Sequence, residues 1–160
     1  MPGPPAWLVP LIVVDPWNEN TFEVLYAVFE RDFKHTRPTL EGHEVWFFPE
    51  LDDGREAIFW HLTHRKDKAT GERLPDPRRC ERLGWVRCMF NNCAEQEILF
   101  WDYLESDGTT HSYLWLKDHD FAVILKKYPN GARRLVTSYY VDQRGTKKTF
   151  EQKYQKRVKN

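Results

Sequence analysis

The spacing of apolar residues along the chain changes at about Asn92. Before that point, apolar side chains recur every three or four residues, which is the period of a helix with one buried face. After it, short runs rich in branched and aromatic residues alternate with turn-forming residues, a pattern typical of antiparallel strands joined by hairpins. The chain is therefore predicted to have an α+β fold in which N-terminal helices precede a sheet.

The first half contains three segments with helical spacing. Residues 20–34 place their apolar side chains on one face. Residues 53–65 open with an aspartate followed three positions later by a glutamate, which resembles a capping box. Residues 76–92 begin with an aspartate and a proline, a favoured order at a helix start. The aromatic run at 45–48 is either a short strand or an apolar patch.

The second half is predicted to form four strands and a closing helix. The strands are expected at residues 98–101, 113–116, 121–125 and 135–141. The turn-forming residues between them lie at 107–108, 118–120 and 129–131. A four-stranded antiparallel meander is the simplest connection of these strands. Thr146 can cap the C-terminal helix.

A chain of 160 residues suits a single domain. We expect residues 1–45 to form an N-terminal extension whose helix packs on a core at 46–160. The three cysteines are an odd number, and the apolar run at 8–14 is too short to span a bilayer and has no basic region before it. These features predict a cytoplasmic protein with free thiols and no association with membranes.

The net charge of zero conceals an uneven distribution. Residues 126–160 have eleven Lys and Arg against two Asp and Glu, so they carry +9 and the preceding 125 residues carry −9. A basic segment interleaved with tyrosines is the composition of a surface that binds phosphates and stacks bases. The alternative is a solvated basic helix beside an acidic body. The side chains expected to contact RNA are Arg65, Arg78, Lys126, Lys127, Arg133, Arg134, Tyr140, Lys147, Lys148 and Lys153.

Candidate catalytic groups lie in both halves. His61, with His64 three residues further on, lies at the margin of the predicted buried face of a helix. Partial burial there can bring the pKa of a histidine close enough to neutrality for it to give and take a proton. Arg82 can clamp a phosphate through two hydrogen bonds. Thr137 and Tyr139 share one face of the last strand and can hold a phosphate oxygen, although which face of the sheet that is remains open. Each also has a purely structural interpretation, as a surface histidine, a helix ion pair or a favoured strand residue.

Several common motifs are missing from the sequence. The histidine and cysteine spacings do not match a zinc site, and there is no glycine-rich dinucleotide loop, phosphate-binding loop or serine-hydrolase elbow. We therefore expect neither a metal nor a cofactor.

Five segments of the chain carry a family resemblance by their order and spacing. They are Phe59-Trp60-His61-Leu62, residues 78–87, Trp101, residues 113–116 and residues 135–140. Together they resemble the phage-associated branch of the Barnase, EndoU, colicin-type and RelE-like nuclease superfamily, over about residues 46–154. The resemblance implies N-terminal helices, a four-stranded antiparallel sheet and a metal-independent endoribonuclease. It also implies a toxin held in check by an antitoxin or immunity protein.

In that superfamily a histidine, a basic side chain and a hydroxyl on the last strand form the site, which implies His61, Arg82, Thr137 and Tyr139 here. The 2′-hydroxyl of RNA would attack the adjacent phosphate, with His61, assisted by His64, moving protons and Arg82 stabilising the charge. The products would be a 2′,3′-cyclic phosphate and a 5′-hydroxyl. Two other functions stay open, a non-catalytic RNA-binding module and a protein-interaction or inhibitor domain.

Overall fold

The protein has an α+β fold built on a mixed, curled six-stranded sheet. The computed structural model describes residues 3–159. The helices are α1 (Glu19–Phe29), α2 (Ala57–Thr63), α3 (Pro77–Glu81), α4 (Leu83–Asn91) and α5 (Arg144–Gln155). The strands are β1 (Thr39–Leu40), β2 (His43–Trp46), β3 (Leu51–Asp52), β4 (Arg55–Glu56), β5 (His64–Lys66), β6 (Arg73–Pro75), β7 (Leu99–Leu104), β8 (Thr110–Leu116), β9 (Phe121–Lys127) and β10 (Arg133–Tyr140).

The predicted antiparallel meander is present as β7 to β10, but the prediction that the sheet has only these four strands is wrong. The strand order is β1-β2-β10-β9-β8-β7, and β2 runs parallel to β10. The parallel pair is short, with Val45 opposite Arg133 and Trp46 opposite Arg134. A pairing between segments so far apart leaves no local period in the sequence. The sequence therefore did not assign the aromatic run at 45–48 to the sheet.

The two faces of the sheet carry separate hydrophobic cores. Phe121, Val123 and Leu125 of β9 pack with the N-terminal helices. Ala122 and Ile124 face the other side, where Phe150 of α5 completes a cluster of aromatic rings. The sheet is thus covered by α1 to α4 on one face and by α5 on the other. No helix within residues 3–159 has the length and apolar character needed to cross a membrane.

The predicted capping box at residues 53–56 is wrong. Asp53 and Gly54 both have positive φ, 51° and 80°, and form the turn of the β3–β4 hairpin. The helix begins only at Ala57 and ends at Thr63. Glu56 instead lies buried, where it accepts a hydrogen bond from Tyr26 at 2.6 Å and pairs with Lys34 at 2.7 Å. An Asp-Gly turn and a helix cap share the same residue types, so local pattern alone does not separate them.

The other helix predictions hold with shifted ends. The helix predicted at 20–34 is α1, continued by a π-helical turn at Glu30–His35. Asp76 caps α3 by accepting from the backbone N–H groups of Arg78 and Arg79. The helix predicted at 76–92 is interrupted at Arg82, which has φ −107° and ψ 12°. The last helix starts at Arg144, two residues before the predicted cap.

Candidate functional site

A basic pocket of about 500 Å³ lies between α2 and the β5–β6 hairpin. It is called the α2 pocket, and its lining includes Asp52, Trp60, His61, Arg65, Lys66, Arg73 and Arg79. His61 is exposed to solvent here. The Arg73 guanidinium lies 4.4 Å from the centre of the Trp60 ring. The pocket therefore combines one accessible imidazole with four positive side chains, of which Arg73 is paired with Asp52 and Asp53 and Arg79 with Asp76.

The surroundings of His61 keep its imidazole neutral near pH 7. Partial burial by its neighbours lowers the pKa of His61, and the positive charges of Arg79, Arg73 and Lys66 lower it further. The nearby Asp52 carboxylate opposes this shift. A neutral imidazole accepts a proton or a hydrogen bond but adds no positive charge for a phosphate.

His64 is a packed residue, which corrects its predicted role as an assistant to His61. Its side chain is only 7% exposed and lies among the rings of Trp17, Phe22 and Trp60. Its Nδ1 is 2.8 Å from the Thr63 hydroxyl. α2 ends before His64, so the two histidines do not share a helix face.

Acidification is expected to destabilise the protein through His64. Burial lowers the pKa of His64 from 6.5 to about 4, so the unfolded chain binds a proton there that the native protein does not. The free energy of unfolding should fall between pH 6.5 and pH 4, by up to about 3 kcal/mol from this group. Urea unfolding at a series of pH values measures this. His64→Phe should flatten the dependence, and an unchanged pH dependence in that variant would contradict it.

Arg79, and not Arg82, connects the α2 pocket to the last strand. Arg82 is 7% exposed, donates to the Arg78 carbonyl at 3.0 Å and lies 4.6 Å from the Tyr140 ring centre, so it is not free for a phosphate. Arg79 Nη1 donates to the carbonyl oxygens of His61 and His64 at 2.9 and 3.1 Å. Its guanidinium stands 5.9 Å from the ring centre of Tyr139.

The second candidate region is a groove of about 540 Å³ between α5 and the sheet, called the α5 groove. Thr137 and Tyr139 both line it, as the prediction that they share a face requires. Leu135 packs on the face of the sheet that α1 to α4 cover. A bulge between Leu135 and Thr137 places Thr137 opposite Ile124, so its side chain lies on the other face, which α5 covers. The α5 face is thus the face that carries these hydroxyls. His61 does not line this groove, so the expected convergence of His61 and Thr137 on one pocket is not observed.

A polar cluster lies in the α5 groove. Tyr113 donates to Glu105 Oε1 at 2.5 Å, and Lys153 Nζ lies 3.0 and 3.1 Å from the two Glu105 oxygens. Lys153 also contacts the Tyr113 hydroxyl at 2.8 Å, and His111 Nδ1 is 3.3 Å from Glu105 Oε1. Burial opposes ionisation of Glu105, but the hydrogen bonds from Tyr113 and Lys153 outweigh it and lower the pKa of Glu105. Glu105 is therefore ionised at neutral pH.

Sequence reasoning found Lys153 but missed Glu105 and His111. The alternation of His111 and Tyr113 on β8 was the available signal, because residues two apart on a strand share a face. Nothing local connects Glu105 with Lys153, since the contact depends on how α5 crosses β7 and β8.

Tyr139 also belongs to a third, smaller pocket of about 210 Å³. This pocket is lined by Arg79 on one side and by Gln143 and Thr146 near the start of α5. Because Arg79 also lines the α2 pocket and Tyr139 also lines the α5 groove, the three concavities are neighbours. The third pocket, with Arg79 and Tyr139 in its lining, therefore connects the α2 pocket to the α5 groove.

The predicted RNA-contact residues fall into three groups. The exposed or half-buried ones are Arg65, Arg78, Lys126, Arg134, Tyr140 and Lys148. The ones already paired with a carboxylate are Lys127 with Asp102, Lys147 with Asp120 and Lys153 with Glu105. Arg133 is a correction, because it is 1% exposed and donates to Ser112, Leu40 and Glu41. It is part of the protein interior and does not meet RNA.

Across residues 3–159, no three or more His, Cys, Asp or Glu side chains are grouped so as to hold a metal ion. The cysteines Cys80, Cys88 and Cys93 carry free thiols. Comparison with protein-family models, with curated proteins and with solved structures found no match to this chain. The resemblance to nucleases therefore stays a prediction.

Proposed function

We propose that the protein is an endoribonuclease that cleaves RNA by attack of the 2′-hydroxyl, with its reaction centre in the α5 groove. One observation carries this proposal. The carboxylate of Glu105 lies within 3.3 Å of both the His111 imidazole and the Lys153 ammonium, on the wall of an open groove. A base, an acid and a fixed positive charge are the groups that this reaction needs, and RNA supplies its own nucleophile.

Each side chain then has a defined part. Ionised Glu105 takes the proton of the 2′-hydroxyl as the 2′-oxygen bonds to phosphorus. His111 gives a proton to the 5′-oxygen as the bond from phosphorus to that oxygen breaks. Lys153 and the Tyr113 hydroxyl stabilise the negative charge on the non-bridging oxygens. Thr137 and Tyr139 orient the phosphate.

The α2 pocket is assigned to the RNA backbone. Arg65 and Lys66 form no ion pair within the described residues and supply positive charge there, whereas Arg73 is paired with Asp52 and Asp53 and Arg79 with Asp76. The Arg79 guanidinium also lies near the ring of Tyr139, which lines the α5 groove. Such contacts provide affinity that falls with salt but no sequence readout. A cytoplasmic setting and an antitoxin or immunity partner remain predictions from the sequence and the resemblance.

The test is cleavage of a mapped RNA oligonucleotide by the purified protein. A single 2′-deoxy substitution at the cleaved nucleotide should abolish the reaction, because the nucleophile is gone. The all-ribose oligonucleotide is the control, and its products should end in a 2′,3′-cyclic phosphate and a 5′-hydroxyl, with EDTA present. Cleavage of all-DNA substrate, or loss of all activity in EDTA, would overturn the proposal.

A non-catalytic RNA-binding module is the second candidate. The observation in its favour is that Glu105 is already engaged by Tyr113, Lys153 and His111. In that case RNA should bind at low salt without being cut.

A further inference from the structure

Three aromatic rings meet beside the pairing of β2 with β10. The ring centres of Trp46 and Phe48 are 5.4 Å apart, and those of Trp46 and Tyr128 are 5.5 Å apart. Phe48 is 47% exposed, and the other two rings are half-buried. The parallel pairing of β2 with β10 brings these rings together from segments about eighty residues apart. This cluster is called the aromatic platform.

Two cations border the aromatic platform. The Arg134 guanidinium lies 4.5 Å from the Phe48 ring centre, and the Lys126 ammonium lies 5.2 Å from that of Tyr128. Their neighbours in sequence, Lys127 and Arg133, are paired with Asp102 and Glu41. Within the described residues, by contrast, Lys126 and Arg134 form no ion pair. Their charges are left for an external anion.

The aromatic platform and the α5 groove lie on one continuous row of the sheet. His111 stands opposite Lys126, Lys126 opposite Arg134, and Arg134 opposite Trp46, across four neighbouring strands. Residues directly opposite one another point to the same face. Three strand spacings separate His111 from Trp46, a distance of about 14 Å. A few nucleotides of an extended strand cover that span.

We propose that the aromatic platform stacks on bases of single-stranded RNA next to the scissile phosphate, while Lys126 and Arg134 bind the backbone. The proposal rests on the proposed function and defines its substrate class. Partly exposed rings interleaved with unpaired cations are the arrangement by which proteins hold single strands without reading a sequence. Bases in a duplex already stack on each other and do not reach such a platform. Lys126 and Arg134 both belong to the basic segment at residues 126–160, so the charge of this row favours a polyanion such as RNA.

The test is binding of a labelled 2′-O-methyl oligouridylate, which lacks a free 2′-hydroxyl and is not cleaved, followed by fluorescence anisotropy at low salt. Phe48→Ala and Tyr128→Ala should each weaken binding by roughly 5- to 100-fold. Val24→Ala, which also removes an exposed apolar side chain but on α1, is the matched control and should bind as the unaltered protein does. Thermal melts of all variants establish that they fold.

The outcomes separate the two proposals. Unchanged affinity in both platform variants would overturn the platform, and so would an equal loss of affinity for a duplex of the same length. With a cleavable single strand, the platform variants should raise KM and leave kcat unchanged. If the unaltered protein cuts no RNA but the platform variants still lose affinity, the nuclease proposal fails and the platform stands as a single-strand binding surface.

Discussion

Replacing Glu105 by glutamine is expected to lower the rate of RNA cleavage by roughly two to four orders of magnitude, the usual contribution of a general base. The amide keeps the size of the side chain and an oxygen that accepts from Tyr113 and Lys153, but it does not take up a proton. The loss should appear in kcat, since Glu105 is proposed to act on the reacting hydroxyl. Single-turnover cleavage of the all-ribose oligonucleotide measures it.

The controls for this variant are chosen to locate the reaction centre. Glu95→Gln makes the same chemical change at an exposed glutamate outside the groove and should leave the rate unaltered. His111→Ala should be about as damaging as Glu105→Gln, whereas His61→Ala should mainly weaken binding. A full rate in Glu105→Gln together with a large loss in His61→Ala would move the chemistry to the α2 pocket.

The pH dependence of the reaction follows from the same cluster. The pKa of Glu105 is held below its ordinary value, so the base stays ionised as the pH falls through the usual glutamate range. The acidic limb of kcat/KM attributable to Glu105 should therefore lie below about pH 4.5. Because it comes from the carboxylate, Glu105→Gln should remove that limb from whatever activity remains.

Replacing Arg133 by methionine is expected to destabilise the protein by about 3 to 4 kcal/mol. The guanidinium donates to the Ser112 hydroxyl at 2.8 Å, to the Leu40 carbonyl at 3.3 Å and to Glu41 at 2.9 Å. Methionine fills part of the volume but leaves those acceptors without the donor. For a domain of this size the melting temperature should drop by roughly 10 °C. Urea unfolding at neutral pH gives the free energy directly.

Arg134→Met is the matched control, because the same substitution falls on the next residue but on the opposite face of β10. It should change stability by less than about 0.5 kcal/mol, as surface substitutions usually do, and should weaken RNA binding. Arg133→Met is thus expected to lower stability, and Arg134→Met to weaken RNA binding. An Arg133→Met protein with full stability and reduced RNA affinity would return Arg133 to the surface role predicted from the sequence.

The sequence predicted most elements whose signal is local. The apolar stripe of α1, the cap at Asp76 and the three hairpin turns of the meander all arise from residues within a few positions of each other. Gly131 shows why the turn signal is strong: its φ is +89°, and a Cβ there would lie 2.6 Å from the His43 ring. Prediction failed where one local pattern fits two structures. Asp53 and Gly54 fit both a helix cap and a hairpin turn, and they form the turn.

The site was less predictable than the fold. Tyr139, Thr137 and Lys153 were chosen from a strand and a helix that the sequence located, and all three line the α5 groove. Arg82 and His64 were chosen for their chemistry, but packing encloses both. Residue type shows what a side chain is able to do, and burial decides whether a substrate can reach it.

By itself, then, the sequence determined the helix and strand periods, the turns and the separation of charge, because each depends on neighbours along the chain or on composition. Only the tertiary structure decided that Arg133 is enclosed while Arg134 faces solvent. It also decided, through a bulge in β10, that Thr137 faces α5, and it brought Glu105 next to Lys153, 48 residues away. These outcomes follow from sheet order, register and curl, which arise from contacts between distant segments and leave no period in the chain.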